Sequence, residues 1–227
     1  MNVKDRTIGW QEAEYDYGKI IEWEGTLIDG DISSGYVPQR GSGLTIGHGI
    51  DISRQYYEEL ESIGLSADAL AQLKPYAATE NGYGLTHPTD GGYGLLTKGH
   101  PNYIYNDKGE RKVRLTDKDI AKLNEYFMDK TVRSSKISYN RIINSKNASP
   151  SAPKWEDLTP RQRTIMIDIT HNAGPYFIED STTILKNSIA TGNWEDVAYE
   201  LEYGEWAEKD KPRHKKRAAY LNEEEYE

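Results

Sequence analysis

The 227-residue chain carries 28 Lys and Arg against 37 Asp and Glu, a formal net charge of −9 at pH 7. That balance argues against a nucleic-acid binder, which presents a basic patch, and the absence of cysteine excludes a disulfide framework and thiolate metal sites. With 36% hydrophobic and 11% aromatic residues, the composition is that of a globular chain long enough to bury a sizeable core.

Met1 to Trp10 is too polar for the apolar region of a signal peptide, and no apolar run is long enough to span a bilayer. From about Trp10 the pattern predicts a helix, with Ile20, Ile21 and Trp23 on or near one face and Gly25 as its stop. Glu24 then falls at the negative end of the helix dipole beside apolar residues. Both effects disfavour its ionised form, the requirement for a proton donor at neutral pH; the plainer alternative is a surface acid near a helix end. Asp29-Gly30-Asp31-Ile32-Ser33-Ser34-Gly35 has the composition of a solvated turn.

In Gly43-Leu44-Thr45-Ile46-Gly47-His48-Gly49-Ile50-Asp51-Ile52, apolar residues alternate with Thr45, Gly47 and Asp51 at the period of a half-buried strand. The glycines around His48 predict a turn or a close backbone approach there. Glu24 and Asp51 thus supply two carboxyl groups on separate elements, with the Thr45 hydroxyl between them in sequence. That is the minimum for cleaving a glycosidic bond: one carboxyl protonates the leaving oxygen, the other handles water or the developing positive charge.

Glu24-Gly25, Gly35-Tyr36-Val37-Pro38 and the run from Ser42 to Ile52 resemble the active-site region of pesticin-like muramidases, relatives of the phage-type lysozymes. The resemblance continues at Leu158 to Arg163, His171 to Gly174, Gly192 to Trp194, Trp206 and Arg213 to Arg217. It implies Glu24, Thr45 and Asp51 as catalytic residues, and Tyr36, His48 and Asn172 are the candidate substrate-binding residues. Ile50 stands where this group often has Phe, and Ser53 where it usually has Gly. Phage-type lysozymes place their catalytic Asp before the Thr, so Asp29 and Asp31 are rivals for the second carboxylate, with Asp51 preferred over Asp31.

Beyond the motif, Leu60, Ile63, Leu65, Leu70 and Leu73 predict a helix from Ser53 to about Pro75. Gly82-Tyr83-Gly84-Leu85 and its echo Gly92-Tyr93-Gly94-Leu95 read as a surface loop or a cover for a cleft. Asn106-Asp107-Lys108-Gly109, between Tyr103-Ile104-Tyr105 and Val113, reads as a hairpin turn. Thr116 and Asp119 open a helix with Ile120, Leu123, Phe127 and Met128, and Ser145 to Pro153 is the best linker candidate. Thr159, Pro160 and Gln162 form a capping box before the stripe of Ile165, Met166, Ile169 and Ala173, which Gly174-Pro175 stops. His171 and Asn172 end that helix, where capping, core packing or a place at a cleft are all open. Asn193 caps a helix carrying Trp194, Val197, Ala198 and Leu201. The basic run Lys209 to Arg217 and the acidic tail Glu223 to Glu227 read as solvated faces of a terminal helix.

Dinucleotide and P-loop glycine spacings, a His-Glu-x-x-His pair and a Gly-x-Ser-x-Gly elbow are all missing, so no cofactor or metal is expected. The expected fold is α+β, mostly helical and lysozyme-like, in one domain over 1–227 with a small β-containing lobe at about 25–55 and a helical lobe at about 56–227. As the resemblance implies, the reaction is hydrolysis of the β-1,4 bond between N-acetylmuramic acid and N-acetylglucosamine. Peptidoglycan glycan strands are the partner, with delivery to the wall by a separate system and an immunity or delivery partner left open. A hydrolase of another amino-sugar polymer such as chitosan, or a non-catalytic wall-binding module, are the alternatives. Carboxyls about 6.5–9.5 Å apart would make the enzyme inverting, and about 5–5.5 Å retaining.

Overall fold

The computed structural model describes residues 14–24, 31–38, 42–80, 82, 84, 103–146, 148–174, 176, 183–204 and 211–222. Of these, 61% are helical, and they include a two-stranded antiparallel sheet, so the fold class is α+β and mostly helical. The chain divides into two compact units, Thr26–Met128 and a discontinuous unit of Met1–Gly25 with Asp129–Glu227.

In the Thr26–Met128 unit, β1 (Thr45–Ile46) pairs with β2 (Ile50–Asp51). Period-two alternation puts Leu44, Ile46, Ile50 and Ile52 into a core with Leu60, Leu73, Ile104, Val113, Ile120, Leu123 and Phe127. Antiparallel bridges extend the hairpin sideways, Tyr36 to Thr45 and Ser34 to Arg114, and Gly35 N–H donates to the Val113 carbonyl at 3.0 Å. A side chain at Gly35 would lie 2.5 Å from Leu44 Cδ1, so these backbones close up only over glycine. The predicted turn at Asn106 to Gly109 is present, with an antiparallel bridge from Tyr105 to Arg111.

The single helix expected between Ser53 and Pro75 is two, α2 (Tyr57–Ser62) and α3 (Ala67–Leu73). Gly64 takes φ 74° between them, and Ser66 caps α3 by accepting from Ala69 N–H. The break is held from a distance: buried Asp119 accepts from Ser66 N–H at 2.8 Å, Ser66 Oγ at 2.9 Å and Thr116 Oγ1 at 2.7 Å. Burial raises the Asp119 pKa, but these hydrogen bonds and Lys122 outweigh it and leave the carboxyl below its ordinary value. Asp119→Ala is therefore expected to cost about 2–3 kcal/mol of stability at neutral pH. A depressed folded-state pKa stabilises above the unfolded value of about 3.9 and ceases to as pH falls through the folded one. Urea unfolding should show the gap between wild type and variant narrowing as pH falls below the unfolded value of about 3.9; a gap independent of pH would refute the carboxylate's role.

The helix α4 (Asp117–Ile143) contributes its first part to the Thr26–Met128 unit and its remainder to the other. That second unit also holds α1 (Tyr17–Glu24), α5 (Pro160–Ala173), α6 (Thr183–Thr191), α7 (Trp194–Tyr203) and α8 (Lys211–Asn222). Among the described residues α1 begins at Tyr17, later than expected, because Asp16 Oδ1 accepts from Lys19 N–H at 3.0 Å and caps it there. The Thr159 capping box, Pro160 and the Gly174 stop at φ 87° all match the sequence signals. In α5 every residue from Thr164 to Thr170 is buried, which makes it the unit's central helix. Ser145 to Pro153 lies within this unit; Ser149 N–H donates to the Ala190 carbonyl and Tyr139 Oη to the Pro153 carbonyl.

One expectation is overturned in part in α8: Lys215 and Lys216 are exposed, as a solvated face requires, but Arg217 and its neighbour His214 are each 1% exposed. The cause is Asp168, fully buried in α5, which Arg217 pairs with through Nε and NH2. A carboxylate taken out of water holds its charge only beside a matching cation. The expected roles of Gly25, Asp29, Tyr83, Leu85, Gly92 to Leu95, Pro175, Trp206, Lys209 and Glu223 to Glu227 lie outside the described residues.

Candidate functional site

Three of the residues singled out in sequence meet on one small surface. In the hairpin register Thr45 is directly opposite Asp51 and Ile46 opposite Ile50. Ile52 N–H donates to the Leu44 carbonyl at 2.8 Å, which makes Leu44 and Ile52 a hydrogen-bonded pair and Thr45 and Asp51 the non-bonded kind, whose side chains approach most closely. The Thr45 backbone turns the other way, exchanging hydrogen bonds of 2.7 and 2.9 Å with Tyr36. Directly paired residues share a face, so Tyr36, Thr45 and Asp51 line the side of the sheet opposite Leu44, Ile46, Ile50 and Ile52. Thr45 is buried, and the Asp51 side chain is 21% exposed.

Asp51 is held from several directions. Its Oδ1 accepts from Ser53 N–H at 3.0 Å and Ser53 Oγ at 2.6 Å, capping a short 3-10 turn at Ile52–Arg54. Its Oδ2 lies 3.4 Å from Arg54 Nε, and its carbonyl accepts from Gln55 Nε2 at 3.1 Å. The signal for this arrangement is the Asp-x-Ser spacing at 51–53, an N-cap pattern overlaid on the alternation of the strand.

His48 occupies the tip of the hairpin between Gly47 at φ 61° and Gly49 at φ 82°. Its backbone N–H donates to Asn124 Oδ1 of α4 at 2.9 Å, and a side chain on Gly47 would lie 2.4 Å from that same oxygen. The tip is thus pinned to α4 over a glycine, with the His48 ring half-buried beside it. Nothing in the sequence around Asn124 marks it as this anchor.

Asp31, the rival carboxylate, accepts from Ser33 N–H at 3.1 Å, Ser33 Oγ at 2.5 Å and Ser34 Oγ at 2.7 Å, and pairs with Arg114 at 3.2 Å. Burial pushes its pKa up, but the serine hydrogen bonds and Arg114 together bring it below the ordinary value. Its acceptor sites are taken by the turn it organises.

Glu24 and Asn172 belong to the other unit. Glu24 is the last residue of α1, as expected; its side chain lies outside the described residues, and with it the carboxyl separation that would set the stereochemistry. The end of α1 is held by Arg213 of α8, whose Nε donates to the Trp23 carbonyl at 2.7 Å while NH1 donates to Asn172 Oδ1. Asn172 Nδ2 in turn donates to the Asp168 carbonyl at 2.8 Å and Oδ1 at 3.1 Å, so Asn172 serves as a strut between α5 and α8. Trp23 also meets the Tyr220 ring edge-on at 5.3 Å.

Among the described residues, no group of three or more His, Cys, Asp or Glu side chains could hold a metal ion. Among them also, no helix is long and apolar enough to cross a membrane. No protein-family model matches the chain, and no curated protein matches it.

Proposed function

We propose that this chain is a muramidase of lysozyme-like fold, a glycoside hydrolase that cleaves the β-1,4 bond between N-acetylmuramic acid and N-acetylglucosamine in peptidoglycan. In this reading Glu24 protonates the glycosidic oxygen, Asp51 activates water or stabilises the oxocarbenium-like state, and Thr45 orients the water. The observation that carries it is the register of the hairpin: Thr45 and Asp51 are opposed on its non-core face, with Tyr36 beside them. A hydroxyl and a carboxylate so placed can share one water molecule. The saturated hydrogen bonding of Asp31 supports Asp51 as the second carboxylate. The protein would act on the cell wall after delivery by a separate system.

The test is clearing of purified peptidoglycan by wild type and by Glu24→Gln, with mass spectrometry of the soluble fragments. Muropeptides with reducing N-acetylmuramic ends are expected from wild type and not from the folded variant. No release by folded wild type at any pH would overturn the reading. Cleavage of chitosan in a parallel reaction would then redirect it to a cationic amino-sugar polymer, which suits a chain of net charge −9.

A further inference from the structure

We infer that Ser53 is a positioning residue that selects which oxygen of Asp51 works. Ser53 is 1% exposed, and a buried hydroxyl needs a partner. Its Oγ and its backbone N–H converge on the same atom, Asp51 Oδ1, at 2.6 and 3.0 Å. Two donors on Oδ1 fix the carboxylate plane and leave Oδ2, beside an Arg54 side chain that is 69% exposed, as the oxygen presented to a reacting group.

Gly43 makes room for this arrangement. Continuing the hairpin register two residues outward brings Gly43 opposite Ser53, on the same face as Thr45 and Asp51. A Cβ at Gly43 would lie 2.2 Å from Ser53 Oγ and 2.6 Å from Asp51 Oδ1, distances real Cβ atoms do not show. Gln55 completes the clamp by donating to the Asp51 carbonyl at 3.1 Å, and Gly84 N–H donates to the Ser53 carbonyl at 2.8 Å.

The kinetic part of this inference rests on the muramidase reading; the conformational part does not. Ser53→Ala removes the Oγ bond and keeps the N–H that caps the 3-10 turn, so the fold should survive with little change in melting temperature. Activity on soluble peptidoglycan fragments should fall about 10- to 100-fold in kcat with KM unchanged, since small misplacements of a reacting group carry penalties of that order. Gly43→Ala, which displaces the same carboxylate from the opposite strand, should show the same split. In parallel, the three-bond Hα–Hβ couplings of Asp51 measured by NMR should report one rotamer in wild type and averaging in Ser53→Ala. Unchanged kcat together with an unaveraged Asp51 would overturn the proposal and leave Ser53 as a cap residue only. If wild type proves inactive on peptidoglycan, the functional reading fails, and the NMR couplings alone then decide whether Ser53 positions Asp51.

Discussion

Arg217→Met is expected to destabilise the protein by about 3–5 kcal/mol, a large share of what a domain of this kind possesses. The residue lies on a helix whose sequence, Lys-Pro-Arg-His-Lys-Lys-Arg, looks made for water, yet it is 1% exposed and paired with an Asp168 that is fully buried. Its NH1 also lies 3.1 Å from His214 Nδ1, and a guanidinium can only donate, so the imidazole nitrogen accepts. Deleting the cation removes the matching charge from a carboxylate in the centre of α5, to which Asn172 Nδ2 also donates at 3.1 Å. Most of the loss is this stranded charge rather than the worth of the pair. The double variant Arg217→Met with Asp168→Leu should therefore recover most of the stability and can equal wild type, because replacing a buried ion pair by apolar residues is often neutral. Guanidinium unfolding of both single variants and the double decides the matter. Additive losses would show that the two residues do not act as a pair.

The parts of the fold that were legible in sequence are those decided by near neighbours. Thr159, Pro160 and Gln162 announce the start of α5 because a capping box closes within four residues. Leu44, Ile46, Ile50 and Ile52 announce the hairpin because alternation about a Gly-x-Gly turn buries one face and frees the other. Thr45 and Asp51 followed from that same pattern, and their exact opposition only needed the turn length. The parts that were not legible depend on partners far along the chain. The apolar stripe through Leu60, Ile63, Leu70 and Leu73 is continuous at helical period, and the break at Gly64 is held by Asp119, 53 positions from Ser66. Arg217 reads as a surface cation until Asp168, 49 positions earlier, is brought against it. An aspartate inside the buried run Ile165 to Ile169 was the available signal, since such a residue demands a counter-charge. Glu24 shows the same limit: its helix is local information, whereas the surroundings that would make it an acid are not.

Asp51→Asn is expected to lower kcat by about 10²–10⁴-fold, the range of a general base or of comparable charge stabilisation, with KM near wild type. The substitution is a clean one here. Asparagine keeps an Oδ1 that accepts from both Ser53 donors, so the 3-10 turn stays capped while the charge is lost. Asp31→Asn should act the other way round. It disturbs a turn in which the carboxylate takes three serine hydrogen bonds and an Arg114 pair, so it should lower the melting temperature while leaving kcat within about tenfold. Thr45→Val supplies the third arm: it keeps the shape of a buried β-branched residue in β1 and removes only the hydroxyl that would orient the water. If Thr45 and Asp51 share one water, the combined variant should lose less than the product of the two single losses, since groups acting as a unit are not additive. Kinetics on soluble glycan fragments with thermal melts of the same preparations give all four results. Collapse of kcat in Asp31→Asn with an active Asp51→Asn would exchange the two roles, and a fully multiplicative double variant would separate Thr45 from the water that Asp51 acts on.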